Sequence, residues 1–127
     1  MIKKEITICG KPVTLAYCYA TEIAYKDCSG EDIHTFLTEA LPLIQQQQMP
    51  DVKKTLFLII ASMLSYYEDD DKLPVTDKDM MHEATPKEIG TALGTIIALR
   101  AQFYHVPDDE PKDKPVAEGK KGKKGKN

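Results

Sequence analysis

The stretch Leu56–Leu64, LFLIIASML, constrains the fold more than any other part of the chain. It lies in a segment that reads as a helix from about Asp51 to Glu68, and between Leu56 and Leu64 that helix is apolar on nearly all sides. A helix without a polar face must be surrounded by other elements, so it belongs in the middle of a bundle. A membrane span needs about 20 apolar residues, which this run does not reach. It reads as core.

The rest of the pattern supplies the surroundings. EITICGKPVTLAYC near the N-terminus alternates: Ile6 and Ile8 share one face, and Val13, Leu15 and Tyr17 repeat the period of two after Gly10-Lys11. Gly10 can supply the positive φ of a tight turn and Pro12 suits a strand edge, which predicts a β-hairpin with one face on helices. A short helix follows from Tyr19 to about Asp27. Ser29-Gly30-Glu31-Asp32 resembles a capping box that opens the next helix. Ile33, Phe36, Leu37, Ala40, Leu41 and Ile44 then fall on one helical stripe. Pro42 within it predicts a kink or a restart.

The acidic run Glu68–Asp71 reads as a solvated loop, and Thr76 with Asp79 as the cap of a short helix, roughly Asp77–Ala84. Thr85-Pro86-Lys87-Glu88 has threonine at the N-cap, proline at N1 and glutamate at N3, a strong helix start. The final helix should run to about Tyr104, ended by Val106-Pro107. From Asp108 onward Pro, Lys, Asp, Glu and Gly dominate, a composition that predicts a disordered tail over 108–127. The expectation is one mainly α domain over 1–107, an N-terminal hairpin on about five helices.

Charge and chemistry narrow the function classes. The formal charge of −3 divides into an acidic body and a basic end, GKKGKKGKN. An acidic body is a poor nucleic-acid platform, so nucleic acid is an unlikely partner. Cys9, Cys18 and Cys28 are odd in number and lack CxxC spacing, which fits a reducing cytoplasm better than a disulfide scaffold. The N-terminus carries no run of signal-peptide length. There is no HExxH, GxSxG, P-loop or GxGxxG, so no enzyme and no cofactor is expected. The acidic loop fails as a calcium site, because its required glycine falls on Pro74 and its bidentate glutamate on Met80. The three cysteines with His34 are wrongly spaced for zinc, and His34 and His82 read as helix-surface residues. The six tyrosines read mostly as core-edge aromatics with wet hydroxyls.

The last helix holds the candidate site. Ile89, Leu93, Ile96, Ile97, Phe103 and Tyr104 fall on one face, and Gly90, Gly94, Ala98 and Ala101 on the adjoining arc. Each mid-helix glycine costs about 1 kcal/mol relative to alanine, so packing on this strip should recover it. A neighbouring helix of the same chain is the simpler occupant. A groove for a second copy or a partner helix is the functional one, with Gly90, Gly94, Ala98 and Arg100 as binding residues. Arg100, the chain's only arginine, lies near the middle of the apolar face. Its guanidinium should either reach water or pair with a carboxylate, of which Glu22 is the best placed.

The hairpin ITICGKPVTLAY leading into ATEIAYKDCSGEDIHTFL, then an apolar central helix, an acidic loop, a last helix and a lysine-rich end, resembles the tail assembly chaperones of long-tailed bacteriophages and prophages. The likeness covers roughly residues 5–107 in order and pattern and includes no catalytic motif. It implies a small helical protein in the cytoplasm of the bacterial host, absent from mature virions, that holds the tape measure protein before tail-tube subunits assemble around it. Self-association and contact with the tail tube protein are also implied. So is a longer product made by ribosomal frameshifting, for which Gly125-Lys126-Asn127 offers suitable codons. The alternatives are a structural or adaptor protein retained in the assembly, or a nucleic-acid-associated regulator that uses the basic tail.

Overall fold

The structure, a computed structural model, describes residues 1–105. They form an N-terminal antiparallel hairpin and five α-helices: β1 (Ile2–Ile8), β2 (Lys11–Tyr17), α1 (Tyr19–Ser29), α2 (Ile33–Gln45), α3 (Val52–Tyr67), α4 (Asp77–Glu83) and α5 (Pro86–His105). The expected hairpin and final helices are present. The tail expected to be disordered lies outside the described residues, as do Val106 and Pro107.

Hairpin register is set by a two-residue loop, Cys9-Gly10, between the paired Ile8 and Lys11. Both loop residues have positive φ, 54° and 74°, the geometry that matches strand twist. The turn therefore starts one residue earlier than Gly10-Lys11, and Lys11 belongs to β2. β1 also starts earlier than expected, because Ile2 pairs with Tyr17. Ile8, Val13, Leu15 and Tyr17 are buried on the face shared with Ile2 and Ile6. The hairpin packs on α5 and α3.

α3 is the central helix its composition demands, capped by the Asp51 side chain, which accepts from Lys54 N–H at 3.0 Å. It contacts α1, β2, α4 and α5. Of its buried polar residues, Thr55 bonds back to the Asp51 carbonyl at 2.7 Å, and Ser62 and Ser65 belong to a network that meets β2. Alternation along the hairpin turns the backbone groups of Pro12, Thr14 and Ala16 away from β1, toward the outer edge of β2. Pro12 has no N–H to lose there. Thr14 N–H donates to Tyr67 Oη at 3.0 Å. The Ala16 carbonyl accepts from Ser62 Oγ at 2.8 Å and from Thr21 Oγ1 at 3.3 Å. Thr21 Oγ1 also accepts from Cys18 N–H at 3.2 Å and bonds Ser65 Oγ.

Three local expectations are corrected. Ser29 does not open α2; it ends α1, its Oγ donating to the Tyr25 carbonyl, and Gly30 at φ 81° closes that helix in the left-handed conformation. Asp32 is the residue before α2, with no side-chain cap. α2 runs through Pro42 without a restart and stops at Gln45, so the proline removes a hydrogen bond only in the last turn. Tyr17 and Tyr25 are fully buried, and their hydroxyls donate to Glu22 and Glu31 at 2.8 Å each rather than to water.

α5 starts as the sequence indicates. Thr85 Oγ1 accepts from Glu88 N–H, and Glu88 Oε1 accepts from Thr85 N–H, both at 3.1 Å. The second Glu88 oxygen accepts from Gly10 N–H at 3.3 Å. One carboxylate thus closes the helix cap and ties the hairpin loop to it.

Thr21→Val keeps the shape but strands the groups that its hydroxyl serves, and should cost about 1–3 kcal/mol, read from the denaturant midpoint. These hydrogen bonds, led by the one from Thr85 N–H, hold the Glu88 carboxyl below its usual value of 4.5. Its contribution is complete above that value and is lost as pH falls through the lowered folded-state value. Glu88→Gln should therefore lose less stability than wild type between pH 6 and pH 3, followed by thermal unfolding.

Candidate functional site

Among the described residues no group of three or more His, Cys, Asp or Glu side chains is placed to hold a metal ion. His34 and His82 are exposed on α2 and α4, and the cysteines are unpaired. No helix among these residues is long and apolar enough to cross a membrane. The features that stand out are surfaces.

The strip on α5 is open. Gly90, Gly94, Ala98 and Ala101 are exposed, and a Cβ built on Gly90 or Gly94 would meet nothing within 4 Å. The simpler occupant, a helix of the same chain, is not there among the described residues. The buried face of α5 is instead Ile89, Ala92, Leu93, Ile96 and Leu99. It is rotated away from the glycines toward Ala92 and Leu99, which leaves Ile97 half-buried and Tyr104 exposed at its margin.

Across the strip stands α2. Two cavities follow one another along α5. The first, about 440 Å³, lies between Gly90, Leu93 and Gly94 on one side and Ile44, Met49 and Pro50 on the other. The second, about 330 Å³, lies between Ile97 and Ala101 on one side and Leu37 and Leu41 on the other. α2 and α5 therefore run antiparallel along one apolar groove with a glycine-alanine floor. Its rim holds large apolar side chains in water: Leu41 is 40% exposed, Ile44 36% and Met49 41%. Gln47, at φ 60°, turns the chain after α2, and Gln48 N–H returns to the Leu43 carbonyl at 2.8 Å. That turn sets Met49 against the groove end.

Arg100 borders the second cavity and a smaller one of about 230 Å³ that also contains Glu22, Asp32, His34 and Tyr104. Of the two alternatives for Arg100, the ion pair with Glu22 is not formed. Glu22 Oε2 accepts instead from the hydroxyls of Tyr17 and Tyr104. Burial first, then the bond to Glu22, pushes the Tyr17 hydroxyl far above its ordinary range, with Arg100 acting in the opposite sense. The Tyr104 hydroxyl is pushed up to about 12, chiefly by the same carboxylate. The Arg100 guanidinium carbon lies 5.3 Å from the Tyr104 ring centre, and its Nε is buried without a hydrogen-bond partner. Arg100 is a directional group at one end of the groove, as Lys87 and two glutamines, Gln47 and Gln48, are at the other.

Of the four predicted site residues, Gly90 and Gly94 line the groove and Arg100 borders its second cavity, whereas Ala98 is exposed on the strip but lines neither cavity. Sequence reasoning missed the opposite wall. Helical spacing places Leu41 and Ile44 on the apolar stripe of α2, of which only Ile33, Phe36, Leu37 and Ala40 are buried. The available signal was a stripe that continues a full turn past the residues a core of this size can cover. No protein-family model matches the chain, and neither the curated proteins nor the solved structures contain a significant match.

Arg100→Met keeps the packed stem and removes an unpartnered buried donor. The free protein should lose less than about 1 kcal/mol of stability by thermal unfolding.

Proposed function

We propose that this protein is a non-enzymatic assembly chaperone that lays an amphipathic helix of a partner into the α2–α5 groove, the partner being the tape measure protein of a long-tailed phage or prophage. The observation that carries the helix-in-groove reading is the open glycine strip facing the exposed Leu41, Ile44 and Met49. Glycines in a helix interior cost stability, and nothing among the described residues packs on these two to recover it. A partner helix does so, because a floor without side chains lets its backbone approach closely. Such grooves read apolar anchors at helical spacing.

Charge defines the partner further. Lys87 lines the first cavity and Arg100 the second, and neither cavity is lined by an acid among the described residues. Along α5 these cations are separated by about 20 Å at 1.5 Å rise per residue. The fitting ligand is a helix of about 13 residues or more, with an apolar stripe and carboxylates near its two ends. The identity of that helix rests on the resemblance of the hairpin, central helix and lysine-rich end to tail assembly chaperones. A tape measure protein, long, helical and striped with apolar residues, requires such cover before tube subunits enclose it.

Co-expression with the tape measure protein encoded in the same gene cluster tests the reading. Wild type should co-purify with it. Gly94→Leu, which has space for its side chain in the free protein, should fold normally and lose at least tenfold in affinity, while Lys78→Leu on α4 should bind as wild type. Equal binding by Gly94→Leu would remove the groove from the function.

A further inference from the structure

The hairpin has two edges, and they are treated differently. The outer edge of β2 is served by Tyr67, Ser62 and Thr21, with Pro12 lacking a donor. On β1 the same alternation turns the backbone groups of Lys3, Glu5 and Thr7 outward. None of them has a hydrogen-bond partner among the described residues. All three residues are exposed, on a strand seven residues long. An open edge of this length is a template for another strand.

The charges on that edge select the strand. Antiparallel pairing of two copies across a two-fold axis requires outward-facing residues to lie opposite one another, so the axis falls on a residue from Lys3 to Thr7. The registers centred on Ile6 and Thr7 form no ion pair, which leaves three that bring the charges of this edge together. One sets Lys3 against Lys3 of the second copy, and another sets Glu5 against Glu5. Like charges directly opposite destabilise a sheet. The register between them sets Lys3 against Glu5 twice, once on each side of the axis, and places Ile2 of one copy opposite Ile6 of the other. We propose that β1 is a self-association edge: a second copy of this chain pairs antiparallel about Lys4 to give a four-stranded sheet in the order β2-β1-β1-β2.

Two features set its strength. Lys4 meets its own copy at the axis, so the pairing carries one built-in repulsion. Lys3 also gives up its place over the Tyr66 ring, where its Nζ lies 5.1 Å from the centroid in the free chain. The dimer is accordingly a weak, concentration-dependent one. It uses neither α2 nor α5's glycine strip, and it stands or falls independently of the groove.

Sedimentation equilibrium of the full chain, at low salt and over a concentration series, tests this with a charge swap. Wild type should show a monomer–dimer equilibrium. Lys3→Glu and Glu5→Lys each convert both symmetric rungs into like-charge pairs and should weaken it at least tenfold. The double variant Lys3→Glu/Glu5→Lys restores complementarity and should return to within about threefold of wild type. Lys4→Thr removes the repulsion at the axis and should tighten the dimer. A chain that stays monomeric through millimolar concentration overturns the proposal. So does a dimer that either single variant leaves unchanged, one that the swap fails to restore, or one abolished by Gly94→Leu.

Discussion

The rest of the structure depends on how the outer edge of β2 is satisfied. A two-stranded sheet is marginal by itself, and burying a strand edge without partners strands polar groups at a cost of about 1–3 kcal/mol each. Here the edge is closed by side-chain hydroxyls from α1 and α3 instead of a third strand. Ser62, Ser65 and Thr21 are buried, and each lies in a hydroxyl network that leads to the Ala16 carbonyl. α3 can therefore be apolar around most of its circumference and still meet a strand. The device is one-sided, since β1 receives no such cover and carries charged residues in its place.

The groove follows from the way α5 is held. Glu88 fixes its first turn to the hairpin loop, and Ile89, Ala92, Leu93, Ile96 and Leu99 turn its apolar face to the core. The orientation of the helix is then settled, and the glycine strip must point wherever that leaves it, which is toward α2. α2 in turn commits Ile33, Phe36, Leu37 and Ala40 inward, and Leu41 and Ile44 overhang the gap. The positions of α5 beneath them include Gly90, Gly94 and Ala101, which are too small to close the space.

How much of this was legible in the sequence depended on how local each signal is. The hairpin, the two capping boxes at Thr76 and Thr85 and the central helix rest on neighbours within a few residues, and all were readable. Ser29 misled because the same residue type that caps a helix start also bonds back to the carbonyl four residues earlier, and Gly30 decides between these through its left-handed φ. The buried hydroxyls of Tyr17 and Tyr25 were not readable, since their carboxylate partners are set by how α1 and the following loop pack. Helical spacing located the strip on α5, but it could not show that the strip is empty. Emptiness is a property of α2's position, and no residue on α5 encodes it.

The floor and the rim of the groove impose different kinds of selectivity. Gly90, Gly94 and Ala101 present mostly backbone, which excludes nothing by side-chain shape and asks only that a ligand be narrow and apolar where it touches. Leu41, Ile44 and Met49 are partly solvated and can adjust their rotamers to different stripes, methionine most readily. Neither surface distinguishes one amphipathic helix from another. Discrimination is left to length and to charge, through Lys87 and Arg100. Because a guanidinium whose Nε already lacks a partner gains more from a carboxylate than a fully bonded one, Arg100 is the group best placed to fix the register of whatever helix occupies the groove.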